Sequence, residues 1–174
     1  IIDRCGTLPQ NVTLDYGVGA PAQTIVAAAD KLEADMLVMG THGKGPIDSL
    51  IFGSVSTEVV AHSHRPILLI RDRLPTSEPL KRVAICLDES DQSLRVQGFF
   101  TQHADLFEQG TSFTLIHVQK SHEDEQASGF AATGSIAGEI ESILTRAGMN
   151  VTTKTLYGDV GAVIAHYAEE ENFD

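Results

Sequence analysis

The stretch Met39–Ser54, MGTHGKGPIDSLIFGS, decides the fold. It follows a short apolar run, Met36, Leu37, Val38 and Met39, which reads as a buried strand bounded by Asp35 and Gly40. It leads into Ser54, Val55, Ser56, Thr57 and Glu58, which read as a capped helix start. A strand that empties through a glycine-rich loop onto a helix N-terminus is a phosphate-binding layout, because the first helical N–H groups are unpaired and point outward. Gly40, Gly43 and Gly53 allow positive φ and close backbone approach, and Ser54 adds a hydroxyl where unpaired helix N–H groups point outward. The pattern is G-x2-G-x9-G-S, which is neither a P-loop nor the G-x-G-x-x-G dinucleotide turn.

That spacing, in that context, resembles the ATP-binding signature of the universal stress protein family. The likeness extends outward over roughly sixty colinear residues, a length at which a glycine pattern becomes specific. Before the loop lie Gly19, Ala20, Pro21 and an alanine-rich helix; after it come a helix to about Ala61 and the run Arg65–Ile70, similar to the family's last strand. The resemblance implies ATP, with Mg2+, as ligand. It carries the phosphate contacts to Gly40, Gly43, Gly53 and Ser54, with Met39, Thr41 and Val55 alongside.

Composition sets outer limits. The 174 residues suffice for one domain or a little more, and 42% hydrophobic with 21% charged residues is ordinary globular material. No apolar run approaches the ~20 residues that span a bilayer. The net charge of −12, from 24 acidic and 12 basic residues, argues against nucleic acid or an anionic membrane as partner. It leaves ATP open, since distant repulsion is screened beyond roughly 8 Å and backbone donors with a metal ion can hold phosphates. Cys5 and Cys86 form no C-x-x-C and are expected as free thiols of a reducing cytoplasm, Cys86 as a small buried strand residue. The chain opens at Ile1 in what reads as the interior of a domain, so a longer natural protein is expected.

In chain order, Val12, Leu14 and Tyr16 alternate within Asn11–Gly17 and predict a strand. Pro21 fits a first helical position, and Ala22, Ile25, Val26 and Ala29 mark one helix face. After the loop, Val55, Val59 and Val60 are placed on the second helix and Ile67–Ile70 on a strand. Alternating strands and helices with short connections predict an α/β fold with a doubly wound parallel sheet. Pro75 to Pro79 mark a linker, placed at residues 73–80. Beyond it, Arg82–Leu87 is a strand, Leu94 to Phe107 a helix, Phe113–Val118 a strand, and Ser121–Gly134 a polar, mobile loop. Ile136 to Ala147 follow as a helix ended by Gly148.

Asn150–Asp174 aligns without gaps on Asn11–Asp35 at an offset of 139, with seven of 25 positions identical. A repeat this long points to duplicated domains, and tandem pairs are known in the family that the chain resembles. The family's sheet is five-stranded in the order 3-2-1-4-5. On that plan residues 1–72 resemble the C-terminal part of a first universal stress domain, and residues 81–174 the N-terminal part of a second. Both copies are then incomplete. The two halves belong to separate domains completed by absent segments, or the fourth and fifth strands of one join the first three of the other, within or between chains. The first arrangement is the favoured expectation.

Ligands of open α/β sheets lie at the carboxyl ends of the strands, where strand order reverses. Asp88 ends the first strand of the second segment, as the family's adenine-contacting aspartate does, and Val118 ends the next at the position of the other adenine contact. Taken alone, Asp88 equally fits a turn or helix cap. Ser90 and Ser93 read as caps, His117 as a packing residue, and Glu169–Glu171 as a solvated helix face. His42, His62 and His64 read as surface, not metal ligands, and Lys44 either approaches a phosphate or keeps the loop soluble. No nucleophile–base pair or water-positioning carboxylate accompanies the loop, so no enzyme is expected beyond slow ATP hydrolysis. The expected function is an ATP-binding regulator of the stress response, as a homodimer or an intramolecular domain pair. Alternatives are a nucleotide-independent interaction module, or a nucleotidyl transferase or ATP pyrophosphatase; the H-x-G-H and S-G-G-x-D-S signatures of those enzymes are absent.

Overall fold

The computed structural model describes residues 11–41, 53–70, 79–88, 90–120 and 134–174. The chain divides into two compact units, Ile1–Thr76 and Ser77–Asp174. Most of the expected linker, the residues between Thr41 and Gly53, and the loop after Lys120 lie outside the described residues.

In the first unit, helix α1 (Pro21–Lys31) precedes strand β1 (Leu37–Gly40), and helix α2 (Ser54–His62) precedes strand β2 (Ile67–Ile70). The strands pair in parallel, Leu37 opposite Ile67 and Gly40 opposite Ile70. Parallel neighbours need a crossover, which α2 provides. Ala22 and Ala29 are buried on α1, as are Ser56 and Val59 on α2. Val60 instead faces solvent, because Val55 and Val59 share the inner stripe at i, i+4 and Val60 is turned past it. Val38 and Leu68, matched in register, are both exposed, so only one face of this two-stranded sheet is covered.

The second unit is a three-stranded parallel sheet in the order β3 (Arg82–Cys86), β4 (Ser112–Gln119), β5 (Asn150–Tyr157). Helix α3 (Asp91–His103), with a 3-10 turn at Ala104–Leu106, joins β3 to β4. Helix α4 (Ile136–Arg146) precedes β5, and α5 (Val160–Glu171) follows it. Ile85, Leu87, Phe100, Phe113, Leu115, Ile140 and Leu144 form the core between α3, α4 and one sheet face. Cys86 alternates onto the other face and is exposed, a correction to the expected buried thiol. Gly148, at φ 85°, closes α4: its N–H donates to Thr145 O and the Met149 N–H to Leu144 O.

Helix α5 packs against β4 and β5, and its end returns to the start of β3. There the Asp174 N–H donates to Arg82 O at 3.1 Å, while its carboxylate accepts from the N–H groups of Lys81 (2.6 Å) and Arg82 (2.7 Å). The Arg82 guanidinium reaches Glu171 at 2.7 Å and lies over the Phe173 ring. The chain therefore runs from β3 to β4 to β5 in one direction and then reverses to the outer side of β3.

The five-stranded 3-2-1-4-5 sheet is not formed by the described residues, which make two separate sheets of two and three strands. The expected strand at Asn11–Gly17 is also corrected. Its residues are exposed and carry no ladder, Tyr16 being 89% exposed. Its counterpart at offset 139, β5, pairs along its whole length with β4. Nearly the same alternation thus becomes a strand only where a neighbour satisfies its backbone groups.

Beyond that difference the two segments share local geometry. Gly19 and Gly158 both hold positive φ, 143° and 129°. Glu33 and Asn172 are the two non-glycine residues with positive φ among the described residues, again 139 apart. The helix-entry bonds Thr24 N–H to Ala20 O and Val163 N–H to Asp159 O match, as do the exit bonds Ala34 N–H to Ala29 O and Phe173 N–H to Ala168 O.

Candidate functional site

Thr41 fixes both ends of the glycine segment. It is 2% exposed, its N–H donates to Ile70 O (3.0 Å), and its carbonyl accepts from the Gly53 N–H (3.0 Å). The carboxyl end of β1 is thereby tied to β2 and to the start of α2. Gly53 is the N-cap, with φ −56°, and among the described residues no side chain caps the helix; Ser54 is its first residue, exposed. The expected hydroxyl cap is therefore corrected. The Ser56 hydroxyl instead donates back to Gly53 O at 2.9 Å. The first N–H groups of a helix have no partner within it and its dipole is positive there, so the start of α2 favours an anion.

Close approach is the reason for glycine at position 53. Gly53 does not hold positive φ, but a Cβ there would meet Thr41 O at 3.1 Å. Gly40 ends β1 with nothing among the described residues within 4 Å of where a Cβ would sit. Neither position uses the positive φ that glycine allows. Met39 is half-buried on β1 and Val55 half-buried on α2; Gly43, like His42 and Lys44, lies outside the described residues.

In the second unit, Asp88 follows β3 and Val118 lies near the end of β4. Continuing the Cys86–Ile116 register by two residues sets them level. Asp88 Oδ1 accepts from the Ser90 hydroxyl, the Ser90 N–H (3.0 Å) and the Ser93 hydroxyl (2.9 Å). The Ser93 oxygen in turn accepts from the Asp88 N–H at 3.0 Å. Ser90 caps α3, accepting from the Gln92 N–H. Asp88 is thus the keystone of the β3–α3 turn, and its second carboxylate oxygen makes no hydrogen bond among the described residues. His117 Nδ1 lies 3.4 Å from Leu87 O, tying β4 to β3 at the same level.

The Ser90 hydroxyl, then the Ser90 N–H and the Ser93 hydroxyl, hold the Asp88 carboxyl below its ordinary value. A depressed carboxyl stabilises the fold at pH values above its unfolded value of about 3.9, and that stabilisation is lost as pH falls through the folded value. Carbon-detected NMR titration should place Asp88 below the ordinary run of exposed aspartates in proteins. Ser90→Ala should move it back toward them; an unmoved midpoint would show that the serine clamp is not the cause.

Two surface depressions lie away from these positions. One, of about 460 Å3, is lined by Thr101, Asp105, Phe107, Gln109, Ala147 and Met149, at the amino ends of the strands. Another, of about 360 Å3, lies along α1 and α2 beside Asp30, Glu58 and His62. Ligands of parallel sheets gather at the opposite, carboxyl edge, so neither is the candidate site. His62 Nδ1 contacts Glu58 O at 2.7 Å, and among the described residues no cluster of three His, Cys, Asp or Glu side chains is arranged to hold a metal.

One residue at the carboxyl edge has no counterpart in the sequence reading. Gln119, the last residue of β4, is 7% exposed, and its Oε1 has no hydrogen-bond partner among the described residues. Its signal in the sequence is a polar residue closing the period-two series Phe113, Leu115, His117, Gln119 on the core side of an apolar run.

Parallel strands joined by helices, in two separate sheets, define an α/β protein. Residues 4–71 match the universal stress protein family, and the segment has relatives of that description. It is 49% identical over 53 residues to a universal stress protein of Thermus aquaticus, covering 30% of this chain and 39% of that protein. It is 42% identical over 53 residues to one of Methanocaldococcus jannaschii, covering 30% and 31%. A stress response protein of Bacillus subtilis is 38% identical over 58 residues, covering 33% and 35%. The chain thus spans about a third of the length of these relatives. The crystal structure of a universal stress protein from Archaeoglobus fulgidus superposes with a TM-score of 0.62 over 93% of this chain and 56% of that one. At 21% identity that likeness shows a shared α/β fold. Among the described residues no helix is long and apolar enough to cross a membrane.

Proposed function

We propose that this protein is an ATP-binding regulatory protein of the stress response, of the tandem universal stress type, acting in the cytoplasm. The observation that carries the reading is the junction of β1, Thr41, Gly53 and α2. It sets the N-terminus of α2, without a side-chain cap among the described residues, against the end of β1, a layout that takes a phosphate through backbone N–H groups. The matching glycine-turn, helix and exit geometry at offset 139 supports a duplicated domain. On this reading the first unit carries phosphate contacts at Gly40, Thr41, Gly43, Gly53, Ser54 and Val55, with Met39 beside them, and the second carries adenine contacts at Asp88 and Val118.

Mg2+ would be held by the phosphate oxygens, and ATP would act by stabilising a pair of domains, as a homodimer or within the chain. The described residues around the junction offer hydrogen-bond donors and no nucleophile–base pair, which favours binding over turnover. Titration calorimetry with Mg-ATP tests the reading, and heat absent at saturating nucleotide would sink it. Mass spectrometry of ligand released from freshly purified protein would identify the nucleotide directly.

A further inference from the structure

We propose that Gln119 determines which base the site accepts, its side-chain carbonyl taking a hydrogen bond from an amino group of a base bound at the carboxyl end of β3 and β4. The inference rests on the nucleotide-binding reading above and adds to it a residue and a selectivity.

Gln119 closes β4 one residue beyond Val118, at the edge where parallel sheets receive ligands. Its main chain is fixed, since Gln119 O accepts from the Gly158 N–H at 3.0 Å. Its side chain follows Phe113 and Leu115 on the face covered by α3 and α4, yet it is an amide at a position where methionine would fill the same volume. Gln119 Oε1 is the single buried side-chain oxygen or nitrogen without a hydrogen-bond partner among the described residues. Buried acceptors are nearly always paired, because an unpaired one forfeits its hydrogen bonds to water without replacement. An acceptor held waiting at the end of β4, one residue beyond Val118, suits a ligand that brings its own N–H donor. The exocyclic amine of an aminopurine is such a group. A 6-oxo purine presents an acceptor at the same place, which would face this carbonyl unfavourably. Sites built to hydrogen-bond a substrate group reject analogues lacking it, because their own polar atom is then left unpaired.

The test uses the whole chain, with Gln119→Met as an isosteric change that removes the amide, and compares Mg-ATP with Mg-ITP by calorimetry. Wild type is expected to prefer ATP by at least about tenfold, and Gln119→Met to lose that preference through weaker ATP binding. The melting temperature of the nucleotide-free variant should equal or exceed that of wild type, since an unpaired buried acceptor has been removed. A nucleotide-free variant that melts lower would overturn the inference, because the amide would then be satisfied within the protein. Equal ATP affinity in the two proteins, or a wild type indifferent between ATP and ITP, would overturn it while leaving nucleotide binding standing. A wild type that binds neither nucleotide removes the functional reading as well.

Discussion

Gly53→Val is expected to abolish the ATP-dependent rise in melting temperature. In wild type that rise should be on the order of 10 °C at millimolar Mg-ATP, since a micromolar site filled a thousandfold over its Kd adds about 4 kcal/mol. The new Cβ would start 3.1 Å from Thr41 O, an oxygen already held by the Gly53 N–H at 3.0 Å, so neither side can withdraw. Overpacking of this kind costs about 1–3 kcal/mol. The valine methyls would also cover the N–H groups of Ser54 and Val55. A second variant separates loss of site from loss of fold. Ser54→Pro occupies the first helical position, where proline is tolerated because that N–H has no helical partner, and Gly53 already has the extended ψ of 150° that precedes proline. It should fold as wild type, yet bind ATP about tenfold more weakly through one lost charge-assisted donor. An unchanged ATP response in both variants would show that the start of α2 does not touch phosphate.

The elements around this junction were legible in the sequence because buried parallel strands are apolar throughout. Met36–Met39, Ile67–Ile70, Arg82–Leu87 and Phe113–Val118 each mark a strand to within two residues. Helices were legible through their apolar stripes and their ends, Pro21 at one and Gly148 at another. Pairing was not legible, because it depends on what lies alongside in space. Val12, Leu14 and Tyr16 alternate as a strand should, yet form none, whereas Asn150–Tyr157 alternates no better and pairs along all of β4. The side of the sheet taken by Cys86 was hidden for the same reason. At the site, the glycine spacing located the junction, and of the two reasons for glycine there, positive φ or close approach, Gly53 uses the second. Gly53 is required by the carbonyl of Thr41, a contact across 12 residues that no local rule predicts. Asp88 and its serines were legible as a turn, since Asp-x-Ser-x-x-Ser bonds locally. Gln119 was not, because a lone polar residue at a strand end signals nothing until its burial and its missing partner are known.

Phe113→Ala should cost the second unit about 3–5 kcal/mol. The residue is 1% exposed and centres the core, its ring edge-on to Phe100 (5.7 Å, 85°) and to Phe107 (5.1 Å, 80°). Truncation removes the buried ring and also both aromatic contacts, which are worth about 0.5–1.5 kcal/mol each beyond burial. The neighbours that would have to collapse into the void are Leu115 on the same strand, which cannot shift without breaking its ladder to β3 and β5, and Phe100 and Phe107 at the two ends of one rigid helix–turn. Amide hydrogen exchange at Leu115 and Ile116 reports this unit by itself. Their protection should fall about a hundred- to several-thousandfold, at about 1.4 kcal/mol per factor of ten. Phe113→Leu, which keeps most of the volume, should lose about 1–2 kcal/mol. A change below 1 kcal/mol for alanine would mean that α3 and α4 close the gap by moving. Because Asp88 is bonded to Ser93 on the first turn of α3, such a movement would also disturb the Asp88 turn. The Asp88 carboxyl shift measured in the alanine variant therefore distinguishes a rigid core that loses contacts from a soft one that carries the candidate base site with it.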